Sequence, residues 1–267
     1  MAATSLDEAL AALADNGDEA KVLAGGQSLI PLMSLRLAHP TVLIDINHVD
    51  ELATIERHNG SLRIGAMVRH RTAERSKEVA DAVPLISKVM PFIGHVAIRS
   101  RGTVGGSLAH ADPAAELPAV ALALGATFNA RSKERGERSI PAADFFGGYF
   151  TTSIEPDEIL TSIDFPVVEG GSAVHEVARR HGDFAMVGAV VATPPGDTRI
   201  ALINVAEKPV RATAAEEALN GGASLDEVAA LVSRDLDPSG DLHASAAYRK
   251  KVAGVCVKRA LQEGSSK

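Results

Sequence analysis

The sequence predicts an α+β protein assembled from three consecutive subdomains, at residues 1–55, 56–168 and 169–267. Three observations lead to that class. The opening stretch alternates helix-like and strand-like patterns around a glycine loop, as an α/β unit does. The middle carries two strand pairs closed by turn signals, at Asn59-Gly60 and at Lys133-Glu134-Arg135-Gly136, with apolar helical runs between them. After a composition shift at Val168-Glu169-Gly170-Gly171, the last part reads as a three-stranded antiparallel meander and then helices.

In order, Thr4 or Ser5 caps a helix through Leu6, Ala9, Leu10 and Leu13. Glu8 stands in the capping-box position and Asn16-Gly17 is the stop. Lys21–Ala24 is a short strand entering the first glycine loop. Ser28–Leu37 is helical by its apolar content; Pro31 is tolerated near the start, where its missing amide has no intrahelical acceptor, and Pro40 ends the run. Thr41–Ile46 is a buried strand by its β-branched residues. Leu52–Ile55 and Leu62–Ile64 flank the Asn59-Gly60 hairpin turn. Helices are expected over Arg71–Val79 and Leu85–Phe92, and Ile98 leads into the second glycine loop. An Ala/Leu-rich helix then runs to Leu124, with Gly125 as its end.

Thr127–Ala130 and Arg138–Pro141 form a hairpin, Ala142–Phe150 a short helix and turn, and Glu158–Pro166 an alternating strand. The meander is His175–Arg179, Val187–Ala192 and Arg199–Val205. Helices follow at Thr213–Leu219, at Ser224–Ser233 with a capping box to Glu227, and at His243–Leu261. The last helix is expected to dock through Tyr248, Val252, Val255 and Arg259.

Composition narrows the function. A chain of 267 residues, 46% hydrophobic and 23% charged, can bury a sizeable core. No apolar run reaches the ~20 residues of a membrane span. The start has no basic and apolar leader pattern, so the expected location is cytoplasmic. A net charge of −7, with both signs interspersed, argues against a nucleic-acid-binding surface. The single cysteine, Cys256, excludes an intrachain disulfide and an iron–sulfur cluster ligated by this chain alone.

The chemistry centres on two glycine-rich loops, Val22–Leu29 and Arg101–His110. Each has a Gly-Gly pair followed within two residues by a hydroxyl. Such loops let another molecule approach the main chain and can line an anion site with N–H groups; either one alone reads more readily as an ordinary tight turn, because glycine turns are common. Neither has the lysine of a Walker loop or the Rossmann glycine spacing. Gly-x-Ser-x-Gly and His-Glu-x-x-His are absent, and the nine histidines are scattered. What remains is a nucleotide cofactor held by main-chain amides. Asp112 and Glu116 could accept from ribose or ribityl hydroxyls, or could simply favour a helix N-terminus. Arg179-Arg180 with Asp183 is a second polar cluster or a charged strand end.

Lys21–Met33 resembles the first flavin loop of the FAD-binding medium subunits of molybdenum hydroxylases, the group of carbon monoxide dehydrogenase and the xanthine dehydrogenase family. Ile98–Ser107, Ala109–Pro118 and Arg179–Ala185 resemble further segments of that family in the same order. The resemblance implies a two-subdomain FAD-binding fold of the vanillyl-alcohol-oxidase (PCMH) type over residues 1–55 and 56–168. A C-terminal domain of the carbon monoxide dehydrogenase flavoprotein type would follow over 169–267. It implies that Val22, Leu23, Ala24, Gly25, Gly26, Gln27, Ser28 and Leu29, with Thr103, Val104, Gly105, Gly106 and Ser107, wrap the FAD diphosphate with N–H groups. Glu116 would meet the ribityl chain, Leu160 the flavin or adenine, and Ile93 and Ile98 the cavity lining. Asp112, Asp183 and Phe184 would complete the cofactor contacts.

No side chain of this subunit would be catalytic and none would bind metal. Substrate oxidation would belong to a molybdopterin-binding large subunit. A small subunit with [2Fe–2S] clusters would deliver electrons to FAD for an external acceptor, in a dimer of heterotrimers. Two departures stand out: relatives begin with a further strand, and some carry an aromatic and a lysine where this chain has Val174-His175. A stand-alone FAD-dependent reductase of the same fold is the competing expectation, but no proton donor for it is evident.

Overall fold

The computed structural model describes residues 1–265. Helix α1 (Leu6–Asn16) starts where the Ser5 hydroxyl accepts from Glu8 N–H and ends at Gly17, whose φ is +51°. The Glu8 carboxylate turns back to the N–H and hydroxyl of Thr4, so the expected box closes one residue early. Strand β1 (Ala20–Leu23) pairs in parallel with β2 (Val42–Asp45), and the crossover carries the first glycine loop and helix α2 (Leu29–Ser34). The predicted helix is cut short before Pro40 can act. Arg36 takes φ +57° and Leu37 N–H folds back to Leu32 O, a left-handed helix end. Met1–Ala3 lies extended along β2, with Ala2 paired to Asp45.

The middle part is organised by an antiparallel sheet. Strands β3 (Ile55–His58) and β4 (Ser61–Gly65) join through Asn59 and Gly60, both at positive φ, as a tight primed hairpin turn requires. The helix expected over 71–79 is two helices, α3 (His70–Arg75) and α4 (Lys77–Ala82). Ser76 leaves helical geometry between them and its hydroxyl caps the second. Then come α5 (Pro84–Val89), a 3₁₀ turn at Met90–Phe92, α6 (Val96–Arg99), α7 (Val104–His110) and α8 (Glu116–Leu124). Gly125 ends α8 at φ +65°.

Strands β5 (Thr127–Ser132) and β6 (Gly136–Pro141), the short α9 (Ala142–Phe145), β7 (Phe146–Gly148) and β8 (Thr151–Thr152) precede β9 (Glu158–Pro166). The sheet order is β3-β4-β9-β5-β6. Phe128 and Phe145 stack at 3.7 Å beneath it, with Phe146 edge-on. Each fully buried Phe contributes about 1.5–3 kcal/mol.

In the last part, β10 (Gly171–Val177), β11 (Val187–Thr193) and β12 (Arg199–Ile203) form the expected antiparallel meander, and β13 (Val210–Arg211) adds a fourth strand. β11 is buried along nearly its whole length. Val190 and Ala192 join the core of the middle part, while Ala189 and Val191 face the C-terminal helices. Those helices are α10 (Thr213–Asn220), α11 (Leu225–Asp235), with its Ser224–Glu227 capping box, and α12 (Ala246–Ser265). The docking side of α12 is not the expected one. Ala253, Cys256, Val257, Ala260 and Leu261 are buried, whereas Tyr248 and Val255 are each 40% exposed. Small residues line the docking side because the contact with α11 is close: a Cβ on Gly254 would lie 2.4 Å from Ala229 O of α11.

Candidate functional site

The site forms where the parallel β1–β2 unit meets the middle part. Past Leu23 the chain leaves β1, and Gly26 takes φ +73°. The N–H groups of Gly25, Gly26, Gln27 and Ser28 have no acceptor among the described residues. A row of free amides at a bend is an anion-binding concavity.

The second glycine segment behaves differently. Gly105 and Gly106 lie in the first turn of α7, capped by the Thr103 hydroxyl. Their amides are already used. Val104 N–H donates to Val68 O, Gly105 to Ala66 O, Gly106 to Thr103 Oγ1 and Ser107 to Thr103 O. The expected wrapping by N–H groups of Val104–Ser107 is therefore not available. The segment offers a flat glycine surface, the Ser107 hydroxyl and the positive end of a short helix. Its glycines answer to packing: a Cβ on Gly105 would lie 2.4 Å from Ala66 Cβ, and one on Gly106 2.6 Å from Thr103 Oγ1.

The two segments touch through backbone. A Cβ on Gly25 would lie 2.4 Å from Arg101 O. A side-chain brace fixes the contact. Asn47 Nδ2 donates to Ala24 O at 2.8 Å, and Arg69 bridges Asn47 Oδ1 at 2.6 Å and Arg101 O at 2.5 Å. Asp45, held below the usual carboxylate range by Asn47 despite burial, anchors Asn47.

Between them lies a cavity of about 750 Å³, toward the upper end of ligand-site volumes. It brings together every expected contact residue except two. Leu23 remains in β1, and Val104 is fully buried in the core beneath α7. Val22, Ala24–Leu29, Ile93, Ile98, Thr103, Gly105–Ser107, Asp112, Glu116, Leu160, Asp183 and Phe184 all line it. The third segment docks closely: a Cβ on Gly182 would lie 3.0 Å from Gly94 O, and Phe184 stands 67% exposed.

The Asp112 carboxylate accepts from Ala114 N–H at 2.8 Å, so part of its capacity shapes the turn before α8. Glu116 is 4% exposed and burial pushes its carboxyl up to about 8. His175, at the departure from the aromatic–lysine pattern, does not line the cavity. It lies against Arg259 of α12, and burial lowers its basicity.

Sequence reasoning missed His70 and the 150–156 segment. His70 is 4% exposed between Gly102 and the cavity, and desolvation pushes its imidazole down to about 4. Phe150, at φ +53°, packs on His110 with ring centroids 5.0 Å apart. No motif distinguishes either one.

The fold and cavity define a protein with an amide-lined, anion-binding cleft large enough for a nucleotide cofactor, and comparison with known proteins gives its class. Residues 1–168 match the FAD binding domain in molybdopterin dehydrogenase, and residues 172–264 the CO dehydrogenase flavoprotein C-terminal domain. The chain belongs to the FAD-binding medium subunits of the molybdenum hydroxylase family, whose members are parts of oxidoreductases, and FAD is its cofactor.

It is 40% identical to the caffeine dehydrogenase subunit beta of Pseudomonas sp. (strain CBB1), over 99% of this chain and 93% of that one. It is 36% identical to the carbon monoxide dehydrogenase medium chain of Afipia carboxidovorans, over 98% and 95%. Among solved structures, reconstituted CO dehydrogenase from Oligotropha carboxidovorans superposes with a TM-score of 0.94 at 35% identity, covering 99% of this chain and 96% of that one. Quinoline 2-oxidoreductase from Pseudomonas putida 86 gives 0.94 at 37%, covering 99% and 95%. The residues present suit FAD: free amides at Gly25–Ser28, a glycine cradle and a cavity of sufficient volume. Among the described residues, no helix is long and apolar enough to cross a membrane.

Proposed function

We propose that this chain is the flavin station of a heteromeric molybdenum hydroxylase, a cytoplasmic dimer of heterotrimers. A large subunit would hold molybdopterin and oxidise the substrate. A small subunit would hold [2Fe–2S] clusters and pass electrons to FAD for an external acceptor. The carrying observation is the cavity between the β1–β2 unit and the middle part, with four free amides on one side. FAD supplies the exchange between one- and two-electron carriers. The chain's own residues bind and orient it. Gly25–Ser28 would donate to the diphosphate, and Gly105 and Gly106 leave room for it. Ile93, Ile98 and Leu160 supply apolar wall, and Phe184 of the C-terminal part stands at the same cavity.

The single cysteine supports this division of labour. It is buried, with its thiol pushed up to about 12 by desolvation, which is no environment for a metal-binding thiolate. Purification from the native host under mild conditions tests the reading. Co-purification with a molybdenum-containing large chain and an iron–sulfur chain supports it. A chain that is isolated alone and still reduces a substrate with NAD(P)H would instead be a stand-alone reductase.

A further inference from the structure

Glu116 opens α8 and forms part of the cavity wall, yet its carboxyl lacks what a buried anion needs. Its one hydrogen-bonding neighbour in the chain is the N–H of its own residue, and it makes no ion pair among the described residues. A buried carboxylate with a single donor and no cation is disfavoured, and burial shifts the balance toward its neutral form.

A second carboxyl is near enough for its charge to act on Glu116. Glu176 lies on β10, on the same face of the strand as Ser172 and Val174; Val174 packs into the core of the middle part. Its Oε2 is buried and takes no hydrogen bond. Its charge acts directly on Glu116, and desolvation pushes its own carboxyl up to about 7.

The surrounding groups do not relieve the pair. Asp112, in the loop before α8, adds further negative charge. His110 of α7 is biased toward its neutral form by burial. Lys88 of α5, which packs on β10, donates to Ser172 O. From α12, Cys256 keeps its proton chiefly through desolvation, with the Arg259 charge opposing and the Glu176 charge adding to it.

We propose that Glu116 meets the cofactor as a neutral carboxylic acid, donating a hydrogen bond to an oxygen of FAD, and that Glu176 of the C-terminal part holds it in that form. This rests on the reading of the cavity as the FAD site. It reverses the role expected of Glu116, from acceptor to donor. It also makes Glu176 a positioning residue: without contacting the cofactor, its charge reinforces the neutral form that burial already favours in the group that does. Raised carboxyls keep their proton in the protein at pH values where free carboxylates have lost it. FAD affinity is therefore full at neutral pH and falls as Glu116 ionises.

The test is FAD titration of the full-length apoprotein from pH 6 to 9.3, followed by flavin fluorescence. Wild type should bind with a constant Kd up to about pH 7.5 and then weaken toward tenfold per pH unit, as loss of one required proton dictates. Glu116→Gln keeps a donor and cannot ionise. It should bind within threefold of wild type at pH 7 and show no weakening above pH 8, which a merely structural role would not produce. Glu176→Gln removes the neighbouring charge, so the break should move to lower pH.

Calorimetry on wild type alone, in buffers of different ionisation enthalpy, should show proton uptake on FAD binding at pH 8.5; this keeps the test valid if a variant fails to fold. A wild-type Kd flat to pH 9.3, binding at pH 8.5 without proton uptake, or a loss above thirtyfold in folded Glu116→Gln at pH 7 would each overturn the inference while leaving the FAD site in place. Wild type that takes up no FAD at pH 7 overturns the cavity reading and this inference together.

Discussion

Replacing Gly25 by alanine tests the geometry of the two-segment contact. The new methyl carbon would sit 2.4 Å from Arg101 O, 2.8 Å from Gly102 Cα and 3.0 Å from Arg101 C, where ordinary contact begins at 3.4 Å. The deficit at the carbonyl is 3.4 − 2.4 = 1.0 Å, so the segments must part by about that distance. Neither obstructing group is a flexible side chain, and Arg69 holds the Arg101 carbonyl where it is. Forced overpacking of this kind costs about 1–3 kcal/mol.

The cost falls on the arrangement that aims the Gly25–Ser28 amides. At a factor of ten per 1.4 kcal/mol, FAD affinity should drop roughly 5- to 150-fold. The clash is with protein rather than with the diphosphate, so apoprotein stability should fall as well. The assay is FAD titration by flavin fluorescence, paired with thermal unfolding of the apoprotein. Ser34→Ala, whose exposed hydroxyl bonds only Ile30 O among the described residues, serves as the unaffected control. FAD affinity within twofold of wild type, with unchanged apoprotein melting, would refute the reasoning.

Asn47→Ala and Arg69→Met should each weaken FAD binding. In a double-mutant cycle their effects should be non-additive by about 0.5–3 kcal/mol, because they form one brace; strictly additive losses in FAD titration would show that they act separately. His70 has a folded pKa near 4 against an ordinary value of 6.5. Its contribution to stability is therefore present above pH 6.5 and lost as pH falls through 4, to the extent of about 3 kcal/mol. Urea denaturation of the apoprotein across that window should show the fall, and His70→Gln should flatten that part of the profile. Buried Glu216 accepts from Ile200 N–H and from Arg211 through both oxygens. Glu216→Ala should cost about 1–3 kcal/mol in urea denaturation, since it strands the buried Ile200 N–H and leaves the half-buried Arg211 without its acceptor; no loss beyond about 0.5 kcal/mol would contradict that account.

Much of the fold was legible because its signals are local. Asn59-Gly60 demands a primed turn, Gly17 and Gly125 end helices, and Ser224 with Glu227 starts one. The exact run of β9 followed from its alternation. The failures are tertiary. The helix after Ser28 stops at an arginine in left-handed geometry, which no residue preference announces. The docking face of α12 was misjudged because small residues, rather than the larger Tyr248 and Val255, allow close approach to α11 and the sheet.

At the site, the identity of the lining segments was readable but their chemistry was only partly so. Gly-Gly looks alike in both segments, yet one presents free amides and the other a helical turn whose amides are bonded. That difference depends on Ala66 and Val68, distant in sequence and brought up by the strand β4 that precedes them. The uncharged state of His70 and the pairing of Glu116 with Glu176 likewise arise from burial between parts of the chain that no spacing relates.

The account stands most directly on what the cavity holds. The purified chain, saturated with a mixture of FAD and FMN and freed of excess, is denatured and its released flavin identified by chromatography. The account predicts FAD at close to one per chain with FMN excluded, since the free amides of Gly25–Ser28 suit a diphosphate and the cavity of about 750 Å³ has room for a whole dinucleotide. Release of FMN in equal measure, or of no flavin at all, would contradict it.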